Sequence, residues 1–189
     1  KLGATLAYLF LCQGDAVGLH TLKNKSPITL PTKRTPAQVQ EILEVLGPLK
    51  AAGKTTLSRS LHEIAESARM RGLIVIISDF FEEISDITNA ITHLRDRKHD
   101  VILFHLLDQR ELEFTFDRPI RFVDLEGDGS IITEPSLIRE EYLSSLDQHI
   151  ESILHHCLGC ESSYFKINTN QPVSETLDML KNSHRGGIS

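Results

Sequence analysis

The sequence Leu-Ile-Val-Ile-Ile-Ser-Asp-Phe at residues 73–80 decides the fold of this chain. Its first five residues are apolar and mostly β-branched, which is typical of a strand buried on both faces of a parallel sheet. Asp79 follows at the carboxyl end of that strand, the edge where open α/β sheets hold ligands and ions. The segment therefore predicts a parallel sheet and the position of its functional edge.

Helical stripes and short apolar strands alternate on both sides of this segment, which is typical of a sheet covered by helices. Further strands are predicted at residues 16–22, 28–30, 101–107 and 164–167, and helices are predicted to begin near residues 2, 36, 57, 84, 135 and 173. Residues 111–132 break the alternation and predict a small β excursion, such as a hairpin. Residues 1–189 are therefore predicted to form one α/β domain, with a doubly wound, mostly parallel sheet and helices on both faces.

The helix before Gly47 has the clearest local signals. Thr35 is expected to be its N-cap and Pro36 its first helical residue, because these residue types suit those positions. Its buried stripe is expected to consist of Val39, Ile42, Leu43 and Leu46.

Composition limits the classes of function. Of the 189 residues, 40% are hydrophobic and 24% are charged, which favours a packed core. The net charge of −6 disfavours duplex nucleic acid as a partner, because that partner needs clustered Lys and Arg. The apolar runs are shorter than the about 20 residues that cross a bilayer, and no signal peptide is recognisable. Three cysteines without framework spacing favour a reducing compartment, so we expect a cytoplasmic protein.

A nucleotide-binding enzyme is the alternative that the residues leave open. Gly53-Lys54-Thr55-Thr56, followed by a strand that ends at Asp79, imitates a phosphate-binding loop and its magnesium ligand. The earlier glycine, Gly47, leaves five intervening residues instead of the required four, and it follows a helix instead of a strand. The simpler interpretation is a loop in which Thr55 or Thr56 caps the next helix.

Thr55 and Asp79 are the candidate metal ligands. Both are expected at the carboxyl edge of the sheet, and a hydroxyl and a carboxylate are hard oxygen donors of the kind that Mg²⁺ prefers. A plain strand-end role for Asp79 is the competing interpretation.

The remaining polar residues indicate no catalytic set, so we do not expect an enzyme. Cys157 and Cys160 lie at the end of a helix and are expected to be packed thiols. A zinc site would need a second pair of ligands, and a redox Cys-x-x-Cys motif normally lies at the start of a helix. His105 is expected to be packed within a strand, and Glu82-Glu83 is expected in a solvated turn. His62, His93 and His149 are expected to be solvated helix residues.

Several modest motifs in order resemble the bacterial "domain of unknown function 58" family, whose members carry a von Willebrand factor A-like domain. They are residues 4–9 and 13–19, Gly53–Leu57, Leu73–Phe80, residues 124–126 and residues 168–172. The resemblance implies a metal-ion-dependent adhesion site, in which Thr55 and Asp79 would come from the second and third loops and hold Mg²⁺. An acidic side chain of a protein partner would complete the coordination. Lys54 and Thr56 stand where the family has glycine and aspartate.

The resemblance also implies a partner and an upstream segment. Family members are often encoded beside MoxR-type AAA+ ATPases, which suggests a role in assembly or remodelling. The family's first metal loop, Asp-x-Ser-x-Ser, and the central strand of its sheet would precede Lys1. We therefore expect the first central strand to be missing from this chain and the protein to extend upstream.

Overall fold

The computed structural model describes residues 1–22, 27–49, 56–115, 120–123, 130–133 and 135–185, with the backbone alone at 120–123, 130–133, 135–136 and 183–185. Its helices are α1 (Leu2–Cys12), α2 (Ala37–Leu46), α3 (Leu57–Ser67), α4 (Ile84–Asp96), α5 (Gln109–Glu113), α6 (Pro135–Gly159) and α7 (Val173–Arg185). Its strands are β1 (Val17–His20), β2 (Thr29–Lys33), β3 (Leu73–Ser78), β4 (Asp100–Leu107), β5 (Ile120–Val123), β6 (Ser130–Thr133) and β7 (Ser163–Asn168). The chain divides into two compact units, residues 1–56 and residues 57–189.

The second unit contains a three-stranded parallel sheet in the order β3-β4-β7. Ser78 of β3 lies opposite His105 of β4, and Leu107 of β4 lies opposite Asn168 of β7. The predicted strands at 73–77, 101–107 and 164–167 and the mixed α/β class are thus confirmed. The doubly wound arrangement, the single domain and the central strand upstream of Lys1 stay predictions.

The core of this unit is built around β4. Val101, Ile102, Leu103, Phe104, His105 and Leu107 are each at most 4% exposed. Helix α4 contributes a stripe of fully buried residues with helical spacing, which are Ile87, Ala90, Ile91 and Leu94. Ile153 and Cys157 of α6 are equally buried. The three-stranded sheet is therefore flanked by helices that present apolar faces.

The first unit consists of α1, the antiparallel β1–β2 pair and α2. Gln38 of α2 is fully buried, and its Nε2 donates hydrogen bonds of 2.9 Å to the carbonyl oxygens of both Val17 and Pro31. One amide group therefore joins the helix to both strands.

Two expectations for α2 are wrong. The helix begins at Ala37 with Pro36 as its N-cap and no side-chain capping bond, so Thr35 does not cap it. Leu43 is 45% exposed, although it was expected in the buried stripe. The reason is that the helix turns Gln38 and Ile42 inward, and Gln38 finds hydrogen-bond partners there.

A short helix, α5, precedes the paired strands β5 and β6 in the predicted β excursion. Asp108 and Glu111 form a capping box at the start of α5, in which each carboxylate accepts a backbone N–H of the cap. Strands β5 and β6 pair antiparallel, which confirms the β excursion. Residues 116–119 and 124–129 of the predicted excursion lie outside the described residues. The helix α5 was not predicted, because five residues carry too little periodicity.

Among the helices in the described ranges, none combines the length and the apolar character needed to span a bilayer.

Replacing Gln38 tests the link within the first unit. We expect Gln38→Ala to lower the free energy of unfolding by about 2–3 kcal/mol, because two carbonyl groups lose their buried donor. Urea denaturation followed by circular dichroism measures the change. The matched control is Gln40→Ala, because Gln40 is exposed and its amide donates to the side chain of Glu44. Equal effects of the two substitutions would contradict the assigned role of Gln38.

Candidate functional site

The loop that leaves β3 begins with a compact turn. Asp79 is exposed, and its Oδ1 accepts a hydrogen bond from Ser78 Oγ at 3.3 Å. Ser78 Oγ in turn accepts the backbone N–H of Phe80 at 3.2 Å. The carboxylate predicted to act at this edge of the sheet therefore faces solvent from a hydrogen-bonded turn.

Phe80 anchors this loop in the core. Its backbone is left-handed with a φ of 55°, a conformation that costs about 1–2 kcal/mol for a residue with a Cβ. Its side chain is fully buried and packs edge-to-face on His105, with ring centroids 5.2 Å apart. Burying an aromatic ring stabilises by roughly 1.5–3 kcal/mol, which offsets the backbone cost. The ring therefore holds the loop in one shape.

His149 of α6 supports the same loop. Its Nε2 lies 3.0 Å from the carbonyl oxygen of Phe80 and donates to it. Its ring also stacks on Phe81, with centroids 6.3 Å apart and planes 20° from parallel. Phe81 itself stays 53% exposed. The loop thus presents a carboxylate at Asp79 and an aromatic ring at Phe81. The sequence analysis did not predict the exposed ring of Phe81.

Glu82 ties the loop to the beginning of α3. Its carboxylate accepts the backbone N–H groups of Leu57 and of Ser58, the latter at 3.1 Å. A negative charge at a helix N-terminus also interacts favourably with the helix dipole. The expectation of a solvated turn is therefore wrong for Glu82. Thr55, the other predicted metal ligand, lies outside the described residues.

His105 lies beneath the loop and stays neutral. Its Nδ1 is 2.7 Å from the hydroxyl oxygen of Tyr164, and its Nε2 finds no hydrogen-bond partner in the described part of the chain. Burial, and then the neighbouring His149, lower the pKa of His105 to about 4, against an opposing effect of Asp79. The packed histidine predicted for β4 is confirmed.

The burial of the other histidines differs from the prediction, whereas that of the Cys157 thiol agrees with it. His62 and His93, expected to be solvated, are half-buried, and their Nδ1 atoms lie 2.8 Å apart. Cys157 is fully buried, and burial together with the nearby Cys160 raises the pKa of its thiol to about 12. The expectation of packed thiols is therefore confirmed for Cys157.

Asp79 suits a Mg²⁺ ion as one donor of several. Mg²⁺ binds through one or two carboxylates and keeps several water ligands, and the exposed oxygens of Asp79 match that chemistry. Within the described ranges, no three His, Cys, Asp or Glu side chains are close enough together to hold one metal ion. The assignment of Thr55 and Asp79 as metal ligands therefore stays a prediction.

A family profile and a solved structure are similar to this chain. The sequence profile described as "Protein of unknown function DUF58" matches residues 1–152. No curated protein matches the chain. A crystal structure of an aerotolerance-related membrane protein from Bacteroides fragilis NCTC 9343, with multiple mutations to serines, is similar, with a TM-score of 0.52 and 15% sequence identity. The alignment covers 96% of this chain and 87% of that chain, and at this identity it supports the α/β fold alone.

Removing the Glu82 carboxylate should loosen the beginning of α3. We expect Glu82→Ala to lower the free energy of unfolding by about 1–2 kcal/mol, as for the loss of a helix cap. Hydrogen exchange at the amides of Leu57 and Ser58 should become faster. The control is Glu83→Ala, since Glu83 is exposed and makes no side-chain capping bond. Unchanged exchange in Glu82→Ala would show that the cap contributes nothing.

Lowering the pH should destabilise the fold through His105. The pKa of His105 in the folded protein is about 4, so below pH 6.5 the unfolded chain takes up a proton that the folded chain does not. The contribution of neutral His105 to the free energy of unfolding is therefore fully present above about pH 6.5. We expect about 2 kcal/mol of this free energy to be lost between pH 7 and pH 5. Urea denaturation at the two pH values measures this loss.

Two histidine variants separate this effect from general acid denaturation. His105→Gln should remove most of the loss, because the amide does not titrate and can still bond Tyr164. His155→Gln should keep it, because His155 is exposed on α6. Equal pH dependence in His105→Gln and the unsubstituted protein would mean that another group is responsible.

Proposed function

The chain belongs to the family described as protein of unknown function DUF58, and on that premise we propose that it is a protein-interaction domain. Its binding surface is the loop at the carboxyl end of β3. The observation that carries the proposal is the pair of exposed side chains, Asp79 and Phe81, on a loop fixed from below. Phe80 and Glu82, which alternate with them, attach that loop to the core and to α3.

An exposed aromatic ring beside a carboxylate suits a protein partner. Aromatic side chains are enriched in the centres of interfaces, where they fill a pocket of the partner. Phe81 already rests on His149, so little side-chain freedom is lost when a partner covers it. The left-handed residue at position 80 and the Glu82 cap lower the cost further, because the backbone is ordered before binding.

We further propose that this surface is a metal-ion-dependent adhesion site of the von Willebrand factor A type. Asp79 and Thr55 would hold Mg²⁺, together with water ligands. A bound Mg²⁺ would supply a coordination position for a carboxylate of the partner. Support comes from the exposure of Asp79, whose carboxylate oxygens are ligands of the kind that Mg²⁺ prefers.

The proposed partner is a MoxR-type AAA+ ATPase in the cytoplasm, with a role in assembly or remodelling. This part of the proposal rests on the resemblance of the sequence motifs to the family. The net charge of −6 is compatible with a protein partner and unfavourable for nucleic acid.

Binding of the full-length protein to a purified MoxR-type ATPase tests the proposal. We expect Phe81→Ala and Asp79→Ala each to raise Kd at least about tenfold, the usual effect at an interface centre. Removing Mg²⁺ with EDTA should raise the Kd of the unsubstituted protein by a similar factor. It should not raise the Kd of Asp79→Ala further. Biolayer interferometry measures the three effects.

Met70→Ala is the matched control, because Met70 is 83% exposed and lies before the opposite, amino end of β3. Unchanged Kd in both loop variants would exclude this surface. Calorimetry with ATP examines the nucleotide-binding alternative, since heat that disappears in Asp79→Ala would favour an enzyme over an interaction domain.

A further inference from the structure

A polar groove lies beside the Asp79 loop, between the start of α4 and one face of α6. Its volume of about 360 Å³ is near the lower end of the range of about 300–1,000 Å³ for ligand sites, so it suits a single side chain of a partner. On the loop side the groove is lined by Glu82, Glu83 and Ile84. On the other side it is lined by four residues of α6 whose helical spacing places them on one face, and these are Ser145, Gln148, His149 and Ser152.

His149 connects this groove to the exposed ring of Phe81. The residue lines the groove, and its ring stacks on Phe81 with centroids 6.3 Å apart. Phe81 is 53% exposed, and Glu83 follows it by two positions in the same loop. A partner that covers Phe81 therefore also lies next to the groove.

The charges of the groove favour a cation. Among the described residues that line it there are two carboxylates and no Lys or Arg. The carboxylate of Glu82 is used inside the fold, because it accepts the first amides of α3. Glu83 is exposed, makes no side-chain capping bond and has no ion-pair partner within the described ranges. The Glu83 carboxylate is therefore available to a positively charged group.

Arginine suits this lining better than lysine does. A guanidinium group carries five N–H donors in one rigid plane and no acceptor, so it needs several acceptors close together. The groove supplies them as the carboxylate oxygens of Glu83 and the side-chain oxygens of the exposed Ser145 and Gln148. A guanidinium plane also packs favourably on aromatic rings, and Phe81 provides an exposed ring beside the groove.

We propose that the groove receives an arginine side chain of the protein partner, next to the partner residue that covers Phe81. This inference rests on the proposed function, because it takes the Asp79 loop as the binding surface, and it adds the charge that the partner must present there. Paired hydrogen bonds between arginine and a carboxylate fix an orientation as well as a charge. The groove therefore selects partners that carry an arginine beside the residue that contacts Phe81.

Titration of the isotope-labelled full-length protein with acetyl-arginine-methylamide, followed by nuclear magnetic resonance, tests the groove without the ATPase. The backbone amides of Glu83, Ser145 and Gln148 should shift in a saturable way. Acetyl-citrulline-methylamide, which has nearly the same shape and no charge, should bind at least about fivefold more weakly. Glu83→Gln should weaken binding of the arginine compound by a similar factor, whereas Asp147→Asn should not, because Asp147 is exposed on α6 and does not line the groove. Equal binding of the two compounds, or shifts confined to other parts of the protein, would overturn the proposal.

Binding to the purified MoxR-type ATPase separates this inference from the proposed function. Glu83→Gln should raise Kd about fivefold to tenfold, because a charge-assisted bond is lost. If Asp79→Ala and Phe81→Ala raise Kd and Glu83→Gln does not, the arginine proposal is wrong and the proposed function stands. If both loop variants leave Kd unchanged while the arginine compound still binds in the groove, the proposed interaction surface is wrong and the groove is supported as an arginine site.

Discussion

The parallel pairing of β4 with β3 on one side and β7 on the other is the constraint on which the second unit depends. A strand that is almost completely buried must satisfy its backbone N–H and carbonyl groups in the two ladders, so the register of both neighbours is fixed. The carboxyl ends of β3 and β7 are thereby brought to one edge, beside His105 and Leu107. The place of the Asp79 loop is a consequence of this register.

The same constraint explains why the loop contains strained and costly features. A chain that leaves a buried strand must turn at once, and here Phe80 makes the turn in a left-handed conformation while its ring fills space above His105. That ring and Tyr164 keep water away from the imidazole, which therefore remains uncharged. Glu82 attaches the end of the loop to α3 by accepting the first amides of that helix. Along residues 79–82, the exposed Asp79 and Phe81 therefore alternate with Phe80 and Glu82, which attach the loop to the rest of the unit.

Local patterns were sufficient to predict most of the elements and insufficient to predict their contacts. The predicted strand 101–107 is observed as Asp100–Leu107, because a continuous apolar run needs no partner to be recognised. The burial of Gln38, the cap formed by Glu82 and the meeting of His62 with His93 each depend on a residue distant in sequence. Asp79 could be predicted at the strand end, whereas Phe81 could not be distinguished from Phe80, since only the tertiary fold decides which ring is buried.

The sheet order also has a consequence for how the protein assembles. Strands β3 and β4 are joined through α4 alone, but β7 arrives only after α5, the β5–β6 pair and the 25 residues of α6 have been synthesised. Contacts between distant segments form slowly, because the entropy of closing a long loop is lost before the contacts can stabilise the chain. We therefore expect docking of β7 to be a late step, and until then one edge of the buried strand β4 is open to pairing with another chain. We expect every newly synthesised chain to pass through this interval, in which β4 has not yet paired with β7.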